Sequence, residues 1–302
     1  MGWSGFLPGV VGNLLADLIF ALLAAAVAIA LGNLFWRRGV RRFFNIPRGK
    51  GRLPIFLSNI VVQKSGTIGT GTVAEGFHGT AITEVEYACA LNFASQIETK
   101  PVYRALRALD PDDLFVRVDP VVCRINISPK ATVLQEAGNS EITSLVHHLI
   151  RNRSAITVGA PIYNVLTYHL MDEIPSHFSF IRREDNGLPV RGIKIRNYRG
   201  GEREYLRHPE GSRQVEYFIV EKLTWHDQPG GGRARDTKIF ICAGTCSAAT
   251  AAALQILADW RSLRRVSGGR DFAYLYELYL DSVDGREMNP PDAPQQVYAA
   301  HG

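Results

Sequence analysis

No lysine or arginine occurs before Arg37, and the first 52 residues hold a single acid, Asp17. That lack argues against a cleaved secretory signal, which carries its positive charge ahead of an apolar run, although Ala28-Ile29-Ala30 resembles a small-residue cleavage site. Cysteine is scarce, at four residues (Cys89, Cys123, Cys242, Cys246). Only Cys242 and Cys246 lie close, and three residues separate them where a zinc module would place two, so no zinc site is expected. The eight histidines form no chelating pattern with acids. His147 and His148 are adjacent and point to different sides of one helix, so no metal is expected. The glycines after Pro229 lack the Gly-Lys-Ser/Thr ending of a phosphate loop. No fixed-period repeat is present, and no cofactor is implied.

What is there begins with hydrophobicity. Leu14 to Trp36 is almost wholly apolar, and Leu18 to Leu31 is uninterrupted. Roughly 20 such residues cross a bilayer as a helix. The run therefore predicts one transmembrane helix over 14–36, with Trp3, Phe6, Phe35 and Trp36 at its borders as interfacial aromatics. Seven basic residues follow (Arg37, Arg38, Arg41, Arg42, Arg48, Lys50, Arg52). Positive charge gathers on the inner side. Residues 1–13 are thus expected outside, 37–52 as a basic juxtamembrane linker on anionic lipid, and the rest in the cytoplasm at the inner membrane. Residues 1–52 hold +6 of the net +5, so residues 53–302 carry −1, which excludes nucleic acid as a partner. Ala24, Ala28 and Gly32 repeat on one helix face, a small-residue stripe suited to homo-oligomerisation within a lipid bilayer.

Beyond the linker, short apolar runs alternate with helical patterns. Pro54–Val62 reads as a first buried strand, followed by a Gly- and Thr-rich loop over 65–79. Ala81–Ile97 reads as a helix, Leu114–Ile127 as one or two strands, Ser140–Arg151 as a helix and Ala155–Val158 as a strand. Residues 178–224 read as strands and hairpins, Lys238–Ala243 as a strand, Thr245–Leu263 as an Ala-rich helix and Phe272–Leu280 as a last strand. The alternation predicts an α/β fold: Rossmann-like, with a mostly parallel sheet, preceded by one transmembrane helix. The domain is expected over 53–284, as one body or as lobes 53–175 and 176–284. The Pro- and Gln-rich residues 285–302 are expected to be a disordered tail.

Ligands of open α/β sheets bind beyond the C-terminal strand ends, where loops enter helices. Three segments fit, together with Ser58 on the first strand. Gly79-Thr80 precedes Glu84 with three residues between, offering close backbone approach, a helix cap and a carboxylate for a ribose hydroxyl or for glycosidic cleavage. Gly159, Pro161 and Asn164 make a tight strand-to-helix turn whose asparagine can read a base or sugar edge. Gly244, Thr245 and Ser247 open the Ala-rich helix and suit a phosphate. Cys246 in that third turn also fits a nucleophile elbow, but the only histidine after it is His301.

Gly79-Thr80 followed by Glu84, with Ala88 one turn on, resembles the motif shared by LOG phosphoribohydrolases and nucleoside deoxyribosyltransferases. These are grouped with SLOG and TIR domains, Rossmann-like folds that bind or cleave nucleotide derivatives. With an N-terminal span, the chain is similar to membrane-tethered SLOG- or TIR-related proteins of prokaryotic conflict systems. The resemblance implies a sensor and effector in antiviral defence, binding a nucleotide-derived signal and driving assembly of its spans. The alternative it implies is a tethered nucleotide N-glycosidase, with Glu84 catalytic.

Overall fold

The structure is a computed structural model. It describes residues 6–46, 52–57, 60–64, 77–81, 84–97, 117–122, 154–161, 164–185, 188–196, 201–225, 236–283, 286–287 and 293–301. Helix α1 (Phe6–Phe43) comes first. It stops where Asn45 turns left-handed at φ 49°, two residues before Pro47, which cannot continue a helix.

The transmembrane expectation is overturned: among the described residues no helix is long and apolar enough to cross a membrane. The apolar run is the front of a longer helix whose rear is a packing element. Leu18, Phe20, Leu23 and Val27 on the front are exposed, whereas Val40, Phe43 and Phe44 are fully buried in the domain. The single-pass, N-terminus-outside, inner-membrane placement falls with the span. The segment read as a juxtamembrane linker thus supplies core side chains, and each buried Phe contributes about 1.5–3 kcal/mol of transfer free energy.

The main sheet is mixed, which corrects the mostly parallel expectation. Strands β1 (Arg52–Leu57), β4 (Arg117–Val122), β5 (Ala155–Val158) and β11 (Thr237–Gly244) run parallel in the order β11-β5-β1-β4. On the far side of β11, strands β10 (Arg213–Trp225) and β12 (Phe272–Val283) continue the sheet antiparallel. Three short strands complete it: β9 (His208–Glu210) on β10, and β13 (Arg286–Glu287) and β14 (Gln295–His301) on β12. Where composition suggested a disordered tail, β14 therefore forms a strand. The reason the pattern misled is burial. Val215 to Leu223 of β10 is buried on both faces. Its central stretch Tyr217–Val220 is apolar on successive residues and so lacks the alternation of a half-exposed antiparallel strand.

Two smaller sheets stand apart: the hairpin β2 (Ile60–Lys64) and β3 (Phe77–Ala81), and the meander β6 (Phe178–Asp185), β7 (Leu188–Ile195) and β8 (Arg203–Leu206).

Helices cover both faces of the main sheet. Helix α2 (Glu84–Ile97), helix α4 (Ser247–Ala258), helix α5 (Trp260–Ser267) and the end of α1 build a core with Ile55, Val158, Phe218, Phe240 and Tyr274. On the other face, helix α3 (Val165–Glu173) and the meander pack on Phe56, Ala155, Tyr217, Ile219 and Ile241. The single helix expected over 245–263 is broken at Asp259, whose carboxylate accepts from Ser262 N–H at 3.4 Å and starts α5 anew.

A candidate ligand-binding rim

The parallel strands β1, β5 and β11 end at Leu57, Val158 and Gly244 on one edge of the sheet. Their continuations then part. The chain leaves β5 for α3 on one face, and leaves β11 for α4 on the other, where α2 also lies. Strand β5 is therefore flanked on both sides by neighbours whose helices take the opposite face.

Gly159 and Gly244, both expected at such turns, are brought together here. Gly159 has φ 109° and donates its N–H to Cys242 O at 2.9 Å. Only glycine holds that backbone without strain. Gly244 is needed for a different reason. A Cβ there would lie 2.6 Å from Thr250 N and 2.7 Å from Ala249 Cβ, so its bareness lets α4 start against the sheet.

Two expected ligand-readers prove to be committed to the fold. Asn164 is buried and caps α3, its Oδ1 accepting from Leu166 N (3.0 Å) and Thr167 N (3.2 Å). Its Nδ2 donates to Phe56 O (3.1 Å) and Val158 O (2.9 Å), tying the ends of β1 and β5. The amide has two donor hydrogens and two acceptor lone pairs, and all are used. Thr245 accepts from Tyr217 N at 3.0 Å and donates to Glu216 Oε2 at 2.5 Å. Pro161 is buried behind the turn, and Ser247, the first residue of α4, is partly exposed.

Cys246 caps α4. Its Sγ accepts from Ala249 N at 3.3 Å, a structural use of the sulfur at the turn where an elbow nucleophile would stand.

The first motif is placed elsewhere. Gly79 and Thr80 lie within β3, opposite Val62 and Val61. Glu84 is the first residue of α2, so the motif is a hairpin strand and then a helix start, off the main sheet. Ser58 lies outside the described residues. Glu86 is buried in the first turns of α2. The thiol of Cys89 is raised, first by its own burial and then by the Glu86 charge.

Sequence reasoning missed two buried carboxylates on β10. Glu216 accepts from the Thr245 hydroxyl and forms an ion pair with Arg207, whose Nε lies 2.6 Å from Oε1. Glu221 receives Ser176 Oγ (2.6 Å), His177 N (2.8 Å) and His177 Nδ1 (3.1 Å). The signal was present: two acids inside the apolar run from Val215 to Leu223 can be buried only if partners meet them. Nearer the rim, the hydroxyls of Thr157 on β5 and Thr167 on α3 are fully buried with no hydrogen-bond partner among the described residues. Among those residues no group of His, Cys, Asp and Glu is placed to hold a metal.

No family model, curated protein or solved structure matches the chain.

Proposed function

We propose that the chain is a ligand-binding sensor whose site is the rim above β1, β5 and β11, and that it binds a nucleotide-derived small molecule without cleaving it. The observation that carries this is the divergence at β5. In open α/β sheets, ligands settle in the crevice where adjacent strands send their helices to opposite faces. A glycine stands at each of these two turns, and a helix follows each. Binding is favoured over cleavage because Cys246 and Glu216, the reactive side chains near the turns, are engaged in capping and in ion pairing.

The output of the sensor is association of copies through α1. Leu15, Leu18, Ile19, Phe20, Leu22, Leu23, Val27 and Leu31 are all exposed, and a Cβ on Gly32 would meet nothing within 4 Å. Consecutive apolar residues such as Leu18, Ile19 and Phe20 point all round a helix, and a helix of that kind needs burial on more than one side. Other copies of α1, meeting along Ala24, Ala28 and Gly32, supply it.

The test is a thermal-shift panel of ADP-ribose, 3′,5′-cyclic AMP and cyclic di-AMP on the full chain, with chromatography of the recovered compound. A raised Tm with at least one of them, recovered intact, is the expected result; ligand at 100 times its Kd adds about 2.7 kcal/mol. Release of free base would make the chain a glycosidase instead. No shift with any of the three would remove the sensor reading. Sedimentation of Leu23→Glu, expected to be less associated than the wild type, checks the output separately.

A further inference from the structure

We infer that Arg207 is the phosphate-reading side chain of this rim, held in place by the buried carboxylate of Glu216. The inference rests on the rim being the ligand site. The register places the arginine. Strand β11 accompanies β10 only as far as the pair Gly244–Phe218. Strand β9 takes up the same edge of β10 at the pair His208–Val215. Arg207 is the residue before His208, and so it falls in the gap beside Glu216, where β11 has turned off towards α4. Its own N–H donates to Arg191 O at 2.9 Å, fixing the backbone from the meander side.

Glu216 is wholly buried, on the α4 face of the sheet with Phe218 and Val220. Its Oε2 takes the hydroxyl of Thr245, the residue after Gly244, and its Oε1 forms an ion pair with Arg207 Nε at 2.6 Å, outside hydrogen-bond geometry. A buried carboxylate without such partners would be strongly unfavourable, so the guanidinium is held by necessity and not by chance contact. Of the five N–H donors of the guanidinium, Nε alone faces the carboxylate in that ion pair. The four hydrogens on the two Nη atoms have no partner among the described residues, and the side chain is 33% exposed. A guanidinium fixed through Nε and open at its Nη atoms is suited to a two-point grip on phosphate oxygens.

The Arg207–Glu216 pair is neutral as a unit. It therefore contributes orientation more than long-range attraction, and its loss should weaken phosphate binding by a moderate factor. Lysine retains the charge but cannot hold Glu216 and a phosphate with one planar group.

The experiment is calorimetric titration of the full chain with ADP-ribose and with adenosine, for wild type, Arg207→Lys and Arg207→Gln, followed by competition with inorganic pyrophosphate. Wild type should bind ADP-ribose at least about tenfold more tightly than adenosine, and pyrophosphate should compete. Arg207→Lys should lower that preference about tenfold and leave adenosine binding within about twofold. A preference that survives in both variants overturns the role of Arg207 while leaving the rim in place. Binding of neither compound by wild type removes the rim as a site for this ligand class, and Arg207 with it. If Arg207→Gln fails to fold because Glu216 is left unpaired, the lysine variant and Glu216→Gln decide. The latter releases the arginine without burying a charge and should also lower the preference; no change there overturns the inference.

Discussion

The ring of Trp260 fills the space that a side chain on Gly39 would need, since a Cβ there would lie 2.5 Å from Trp260 Cη2 and 3.1 Å from Cζ3. Around that contact Trp36 meets Trp260 edge-on at 5.4 Å, and the Arg261 guanidinium lies 4.0 Å above the Trp36 ring. Helix α1 is locked to α5 there. Gly39→Val should cost about 1–3 kcal/mol in urea unfolding by overpacking. Gly32→Val on the same helix, with open space around it, should leave domain stability unchanged. Equal effects at the two sites would mean that α1 does not dock as described.

Asn164 joins the ends of β1 and β5 and caps α3 at once. Replacement by Ala should cost about 2–4 kcal/mol, because a cap is lost and the Phe56 and Val158 carbonyls lose a donor. Asn164→Asp keeps the acceptor for the cap but sets a buried carboxylate oxygen against the Phe56 and Val158 carbonyls, so its loss should be at least as large. A near-neutral Asn164→Ala in chemical denaturation would show that another group ties the two strands.

Cys246 separates a structural sulfur from a nucleophile. As a cap, it should be replaced by Ser with no loss, or with a gain of about half a kcal/mol, since Ser is the better capping residue. Cys246→Val should be destabilising. Ligand binding should survive Cys246→Ser unaltered, and formation of a covalent adduct by the wild type alone would contradict the assignment.

His177 should make stability depend on pH. Its pKa is raised, first by the hydrogen bond to Glu221 and then by the Glu221 charge, against an opposing effect of burial. A group whose folded pKa lies above its unfolded value binds its proton more tightly in the folded state. The stabilisation is therefore complete below the ordinary histidine value of 6.5 and is lost as pH rises through the raised folded value. Melting followed from pH 5 to 8 should show this fall in the wild type. His177→Gln should flatten it.

How much was legible depends on which force left a local trace. Strands β1, β5 and β11 were readable because each is a short apolar run ended by a loop or a glycine turn. The turns at Gly159 and Gly244 followed from the same signal, and the register puts both on one edge. The antiparallel half was not separable, because β10 is buried on both faces and loses the alternation that would mark it. At the N-terminus the arginines after Trp36 dominated the pattern. Trp36, Val40, Phe43 and Phe44 keep helical spacing beneath them, which is the trace of a docked amphipathic end. Glu216 left a trace, as an acid among apolar residues, but its pairing with Arg207 left none. The two residues meet only through the register of β9 on β10, a property of the assembled sheet.

Because α1 runs unbroken from Phe6 to Phe43 with its rear embedded beside Trp260, it is a lever as well as an anchor. The 30 residues before Trp36 make an arm of about 45 Å at 1.5 Å per residue. A tilt of about 10° at the embedded end would carry the far tip through roughly 8 Å. Phe43 at the embedded end lies against Phe240 and Phe272 of the sheet, so a repacking of those rings would be magnified at the far end of the arm.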